Sequence, residues 1–148
     1  MRFNVINNAK QIWIEGENSF NTWMCFRKEF YYYRDSRLET GKRKILAEIA
    51  VDSKYWLYLN GRLVIREGGL KRGPSRNGTY YDELDLSEYL ADGKNVLAVL
   101  VWYFGKSGFS HLSSGMGGLR CAIGLPDETL YSDSSWKIIR HSAFAEGK

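Results

Sequence analysis

The chain has few of the residues that usually carry covalent or metal chemistry. Two cysteines, two prolines and two histidines occur in 148 residues. Two cysteines cannot build a multi-bridge scaffold, and neither Cys25 nor Cys121 has a second Cys or His near it at a metal-ligand spacing. Both sit in apolar strand patterns, so buried free thiols are expected. A bridge between them stays open, because sequence does not give their separation in space. His111 and His141 have no carboxylate or hydroxyl placed locally to complete a nucleophilic set and read as surface histidines. No apolar stretch approaches a membrane span, and the opening MRFNVINNAK lacks the apolar core of a signal peptide. A cytoplasmic location is therefore favoured, with a periplasmic or secreted one open if a leader has been removed. Charge of one sign is also lacking: the net charge is +4. Lys42-Arg43-Lys44 and the group Lys71, Arg72 and Arg76 fall in turns and loops, and no nucleic-acid-reading module accompanies them.

Aromatic and apolar residues in short alternating runs are plentiful. The central stretch, Ile45 to Arg66, reads as three successive strands. Ile45, Ala47, Ile49 and Val51 alternate with Leu46, Glu48 and Ala50. Asp52-Ser53-Lys54 interrupts the run, Tyr55 to Leu59 resumes it, and Asn60-Gly61 predicts a type I′ hairpin turn into Leu63, Val64 and Ile65. Upstream, Ile12 to Ile14 is a short strand, and Trp23 to Phe30 alternates Met24, Phe26, Lys28 and Phe30 against Trp23, Cys25, Arg27 and Glu29, one face apolar and one mixed. Downstream, 67–78 and 105–118 are glycine-rich loops. Thr79 to Leu84 is a strand. Asp85 with Glu88 has the spacing of a capping box and predicts a short helix through Leu90. Asn95 to Phe104 is apolar on both faces, which predicts a cover on both faces, either from the chain itself or from a neighbouring domain. Leu119 to Leu125 and Thr129 to Tyr131 are further strands, and Ser132 to Lys137 is a turn.

About eight or nine short strands with turns between them and one short helix predict an all-β fold. The expected architecture is an antiparallel β-sandwich of the jelly-roll, galactose-binding-domain-like kind, with 1–148 as a single domain. In a β protein most of the aromatics are core and cross-strand pairs, while a minority can form a flat platform for a ligand.

No catalytic constellation survives inspection. Gly105-Lys106-Ser107 lacks the earlier glycine and the following helix of a phosphate loop. Asp82, Glu83 and Asp85 form an acidic cluster, but Asp85 is explained by capping. Asp52 or Asp82 could hold a structural calcium with backbone carbonyls, although no full ligand spacing is present. No other cofactor is implied.

The ordered set Phe26-Arg27-Lys28-Glu29-Phe30, Ala50 to Tyr55 with Leu57-Tyr58-Leu59-Asn60-Gly61, Tyr81-Asp82-Glu83 with Asp85-Leu86, Gly93-Lys94-Asn95-Val96-Leu97-Ala98-Val99, Gly118-Leu119-Arg120 and Asp133-Ser134-Ser135-Trp136-Lys137 resembles the N-terminal β-sandwich domain of bacterial α-L-rhamnosidases. The resemblance spans roughly Gln11 to Arg140. Part of it is also similar to the sugar-binding jelly rolls of β-galactosidase and β-glucuronidase relatives. The resemblance implies a non-catalytic domain beside a barrel that hydrolyses terminal α-L-rhamnose, and no catalytic residue carries over. It implies contact with a rhamnose-containing glycan or packing on other domains of the parent enzyme. The long loops would then offer Tyr80, Tyr81 or Tyr103 to a pyranose face and Arg72 or Arg76 to its hydroxyls. A purely structural interdomain module is the competing expectation, and it predicts an apolar surface patch on the domain alone.

Overall fold

Alternation of apolar and polar residues at a period of two, repeated between turn formers, drives this chain into strands that each bury one face. The computed structural model describes residues 6–14, 22–33, 44–52, 54–69, 81–103, 118–126 and 128–141. Nine strands occur among them: β1 Thr22–Tyr32, β2 Leu46–Asp52, β3 Lys54–Leu59, β4 Arg62–Gly69, β5 Asp82–Asp85, β6 Gly93–Tyr103, β7 Gly118–Gly124, β8 Thr129–Tyr131 and β9 Lys137–Arg140. They form two antiparallel sheets, one ordered β4-β3-β6-β1-β9 and the other β5-β2-β7-β8. The chain passes back and forth between the sheets, giving the expected jelly-roll sandwich. No described helix is long and apolar enough to cross a membrane.

The core lies between the sheets. Met24, Phe26, Tyr55, Leu57, Val99 and Val101 from one sheet meet Ile49, Leu119, Cys121 and Ile123 from the other, all at most 1% exposed. Burying side chains of this size contributes about 1.5–3 kcal/mol each before the entropy of ordering the chain is counted.

Several local expectations hold. Asn60 and Gly61 adopt φ of 53° and 80°, the positive pair that a type I′ turn requires. The Asn60 side chain does more than permit the turn. Its amide donates to Tyr89 O (3.1 Å) and Asn95 Oδ1 (2.8 Å), and its Oδ1 accepts from Val96 N (2.9 Å). Asn95, fully buried, also accepts from Ala91 N (2.8 Å) and donates to Ala91 O and Gly93 O (2.9 and 3.0 Å).

Other features depart from the sequence reading. Asp52 and Lys54 end and begin strands in different sheets, so the interruption there is a crossing of the sandwich. The helix after Asp85 is a 3-10 turn, Ser87–Tyr89, whose N-cap Leu86 makes no side-chain cap. Asp85 instead accepts from Ser87 N (3.0 Å) and Ser87 Oγ (2.5 Å), two residues on. A second 3-10 turn occupies Ile6–Asn8, and Ile12 makes one bridge to Leu119 in place of a strand. Lys137 opens a strand where a turn was expected. The expected loops at 67–78 and 105–118 lie mostly outside the described residues. Of their ends, Glu67 to Gly69 continues β4, and Gly118 opens β7.

The two cysteines are free. Cys121 is buried in the core as expected. Cys25 is half-buried, because its place on β1 puts it on the outer face with Trp23.

Candidate functional site

Register brings one set of strand ends together. Lys54 pairs with both Gly69 and Trp102, and Asp52 pairs with Gly118. Gly69, Trp102 and Gly118 therefore lie at the same end of the sandwich. Arg72, Arg76 and Tyr80 lie outside the described residues. Tyr81 is half-buried at the start of β5. Tyr103 is placed inside the fold, 1% exposed, with its ring edge-on to Trp13 at 5.6 Å. Its position on β6 decides this, since Leu97, Val99 and Val101 share its inward face.

Asp82 and Asp85, at the two ends of β5, have structural partners. The buried Tyr55 hydroxyl donates to Asp82 Oδ2 at 2.7 Å, a bond that links the two sheets. Burial, and then the Asp82 carboxylate, hold that phenol well above the usual tyrosine range. Asp85 is held below the usual carboxylate range by its bonds from Ser87. Glu83 is exposed in register with Glu48, a fully buried carboxylate whose Oε1 accepts from Ile6 N at 2.8 Å. No group of three or more metal-ligating side chains is found among the described residues.

A second surface was only partly foreseen. On the outer face of the five-stranded sheet, Trp23 stacks on Trp102 at 4.8 Å and 9°, and on Trp56 at 5.4 Å and 26°. Lys54 Nζ lies over the Trp102 ring, 5.9 Å from its centroid. Below them, register sets Trp56, Leu100, Cys25 and Ile139 side by side across four strands. Ile139 is 68% exposed and Leu63 45%. The alternation in β6 contained half of this surface. The rest needed the pairing of β1, β3, β6 and β9, which no local pattern states.

The stacked rings decide what this surface can bind. A sugar stacks on an open aromatic face, whereas Trp23 and Trp102 each cover a face of the other. Beside the rings the surface continues through Leu100, Cys25 and Ile139, and then through the charged Arg27, Glu29 and Lys137 on the same face.

No protein-family model and no curated protein sequence matches the chain. Among solved structures, it is similar to the GH78 family rhamnosidase of Bacillus sp. GL1, at 34% identity and a TM-score of 0.71, over 90% of this chain and 13% of that one. An α-L-rhamnosidase of Streptomyces avermitilis shares the fold at 19% identity and a TM-score of 0.62, over 91% and 12% of the two chains. A lectin of Pleurotus ostreatus shares it at 22% and 0.57, over 90% and 35%. The chain thus spans about an eighth of the length of the rhamnosidases it matches. With the fold and the identity in agreement over nine-tenths of its length, this chain is a β-sandwich domain similar to a segment of a GH78 rhamnosidase.

Proposed function

We propose that the chain is a non-catalytic accessory domain of a glycoside hydrolase acting on α-L-rhamnosides. The observation that carries this is the match of nearly the whole domain to 13% of a GH78 rhamnosidase. The described acidic groups support it, because Asp82 and Asp85 are each engaged by a structural hydrogen bond. On this reading the chain alone hydrolyses no aryl α-L-rhamnoside, and sustained turnover by the purified chain would overturn it.

Carbohydrate recognition is the finer part of the proposal. It is supported by the fold shared with the Pleurotus ostreatus lectin, one structure of which is a complex with GalNAc. It is also supported by the aromatic and basic side chains of Arg72, Arg76, Tyr80 and Tyr81, in the segment between β4 and β5. The test is a titration of the chain with L-rhamnose, rhamnosylated oligosaccharides and galactose, followed by tryptophan fluorescence with calcium and then with a chelator. A saturable response to rhamnosides, lost in Tyr81→Ala, is expected. Its absence from a folded sample removes sugar binding and leaves a domain that acts by packing.

A further inference from the structure

The two outer faces of the sandwich are finished differently. Over the four-stranded sheet the chain supplies its own cover: Ile6 and Ala9 are 4% and 5% exposed, Glu48 and Ala122 are fully buried, and Ile6 N is bonded to Glu48. Over the five-stranded sheet, Trp23, Trp56, Trp102 and Leu100 stay half-buried, and Ile139 is open to solvent. An apolar strand face is unfavourable in water and is normally covered.

We infer that the outer face of the five-stranded sheet is the surface on which this domain packs against another domain of the same glycosidase polypeptide. The inference rests on the accessory-domain reading. The occupant is protein, not sugar, because the indole rings are stacked on one another and the row beside them, Leu100, Cys25 and Ile139, is apolar. It belongs to the same polypeptide because the matched segment is 13% and 12% of the two rhamnosidases, each of which continues well beyond it. The margin of the face is of mixed charge: Arg27 pairs with Glu29 at 3.1 Å and Lys54 with Glu67 at 3.5 Å, and Lys137 stands in register beside Arg27. The covering domain is expected to present an apolar centre with a polar rim of both signs.

Cys25 gives a direct readout. It sits in the middle of this face between Leu100 and Ile139, while Cys121 is fully buried in the core and reports on unfolding. The experiment measures alkylation of each thiol by N-ethylmaleimide, resolved by peptide mass spectrometry. It uses the chain alone and the Bacillus sp. GL1 rhamnosidase with its matched segment replaced by this chain. Cys25 is expected to react in the chain alone and to be protected about tenfold or more in the enzyme, with Cys121 inert in both. Ile139→Glu, at a site exposed in the free domain, should leave the chain alone folded and restore Cys25 reactivity in the enzyme. Equal Cys25 rates in the chain alone and in an active chimera overturn this inference and leave the accessory-domain reading intact. Protection in the concentrated chain alone, with a dimer in sedimentation, overturns it in favour of a second copy. A chimera that is insoluble or inactive, when the enzyme with its own segment is neither, overturns both readings.

Discussion

Replacing Asn95 by alanine should be among the costliest polar substitutions in this domain. The side chain is fully buried and makes four hydrogen bonds, two accepted by Oδ1 and two donated by Nδ2. At about 1 kcal/mol net for each bond the loss would be about 4 kcal/mol, reduced because Ala91 is exposed and its peptide groups can turn to water. The expected destabilisation is about 2–4 kcal/mol, against a stability of about 5–15 kcal/mol for a typical domain. For a domain of this size it corresponds to a fall in Tm of about 5–15 °C, read by circular dichroism. Asn95→Asp sharpens the test. It keeps the acceptor but turns an oxygen toward Ala91 O and Gly93 O, where an ionised carboxylate is unfavourable and the folded pKa must rise. A raised folded pKa means that the cost is smallest below about pH 4 and grows as pH rises from the unfolded toward the folded pKa. An alanine variant within about 2 °C of the parent, or an aspartate variant insensitive to pH, would refute this assignment of Asn95.

Gly68→Ala would place a Cβ 2.4 Å from Tyr55 Cζ and 2.8 Å from Ile65 Cγ2, against a ring fixed by its bond to Asp82. A loss of about 1–3 kcal/mol is expected from the urea midpoint at unchanged slope, and an unchanged midpoint would mean that the ring yields freely. Asp85 and Asp133 both have folded pKa values below the ordinary 3.8, chiefly from their Ser87 and Ser135 bonds. Their contribution is therefore whole above that pH and lost as pH falls through the lower folded value. The double variant Asp85→Asn with Asp133→Asn should flatten the acid limb of a stability–pH curve slightly, since Asp85 is exposed and Asp133 only half-buried. Trp23→Phe should abolish a far-ultraviolet exciton couplet from the near-parallel Trp23–Trp102 pair; persistence of the couplet would place its source elsewhere.

What could be read from the sequence follows the range of the physics involved. The Asn60-Gly61 turn is dictated by two adjacent residues, and the alternation in β1, β2 and β6 by neighbours two apart, so both were legible. The assignment of β2 and β3 to opposite sheets was not, because the same period of two serves either sheet. Cys25 was read as buried since its flanks are apolar, yet alternation with Met24 and Phe26 sends it outward. Asp85 was recognised as a cap, but its bond to Ser87 supports a 3-10 turn where a longer helix had been expected. Asn95 looked like the edge of an apolar run and proved to hold two turns together, a role that exists only once Asn60 and Ala91 arrive beside it. Among the sugar-contact residues, Tyr103 was placed by its nearness to a loop, whereas its parity with Val101 puts it inside. The tryptophan stack gathers three residues from three strands, so only the sheet reveals it.

The most direct measurement is hydrolysis of an aryl α-L-rhamnoside by the Bacillus sp. GL1 enzyme with its matched segment deleted, and again with this chain in that place. The accessory-domain claim predicts that deletion lowers the yield and thermal stability of active enzyme, that this chain restores them, and that the chain alone hydrolyses nothing. A graft no better than the deletion, or turnover by the chain alone, would contradict it.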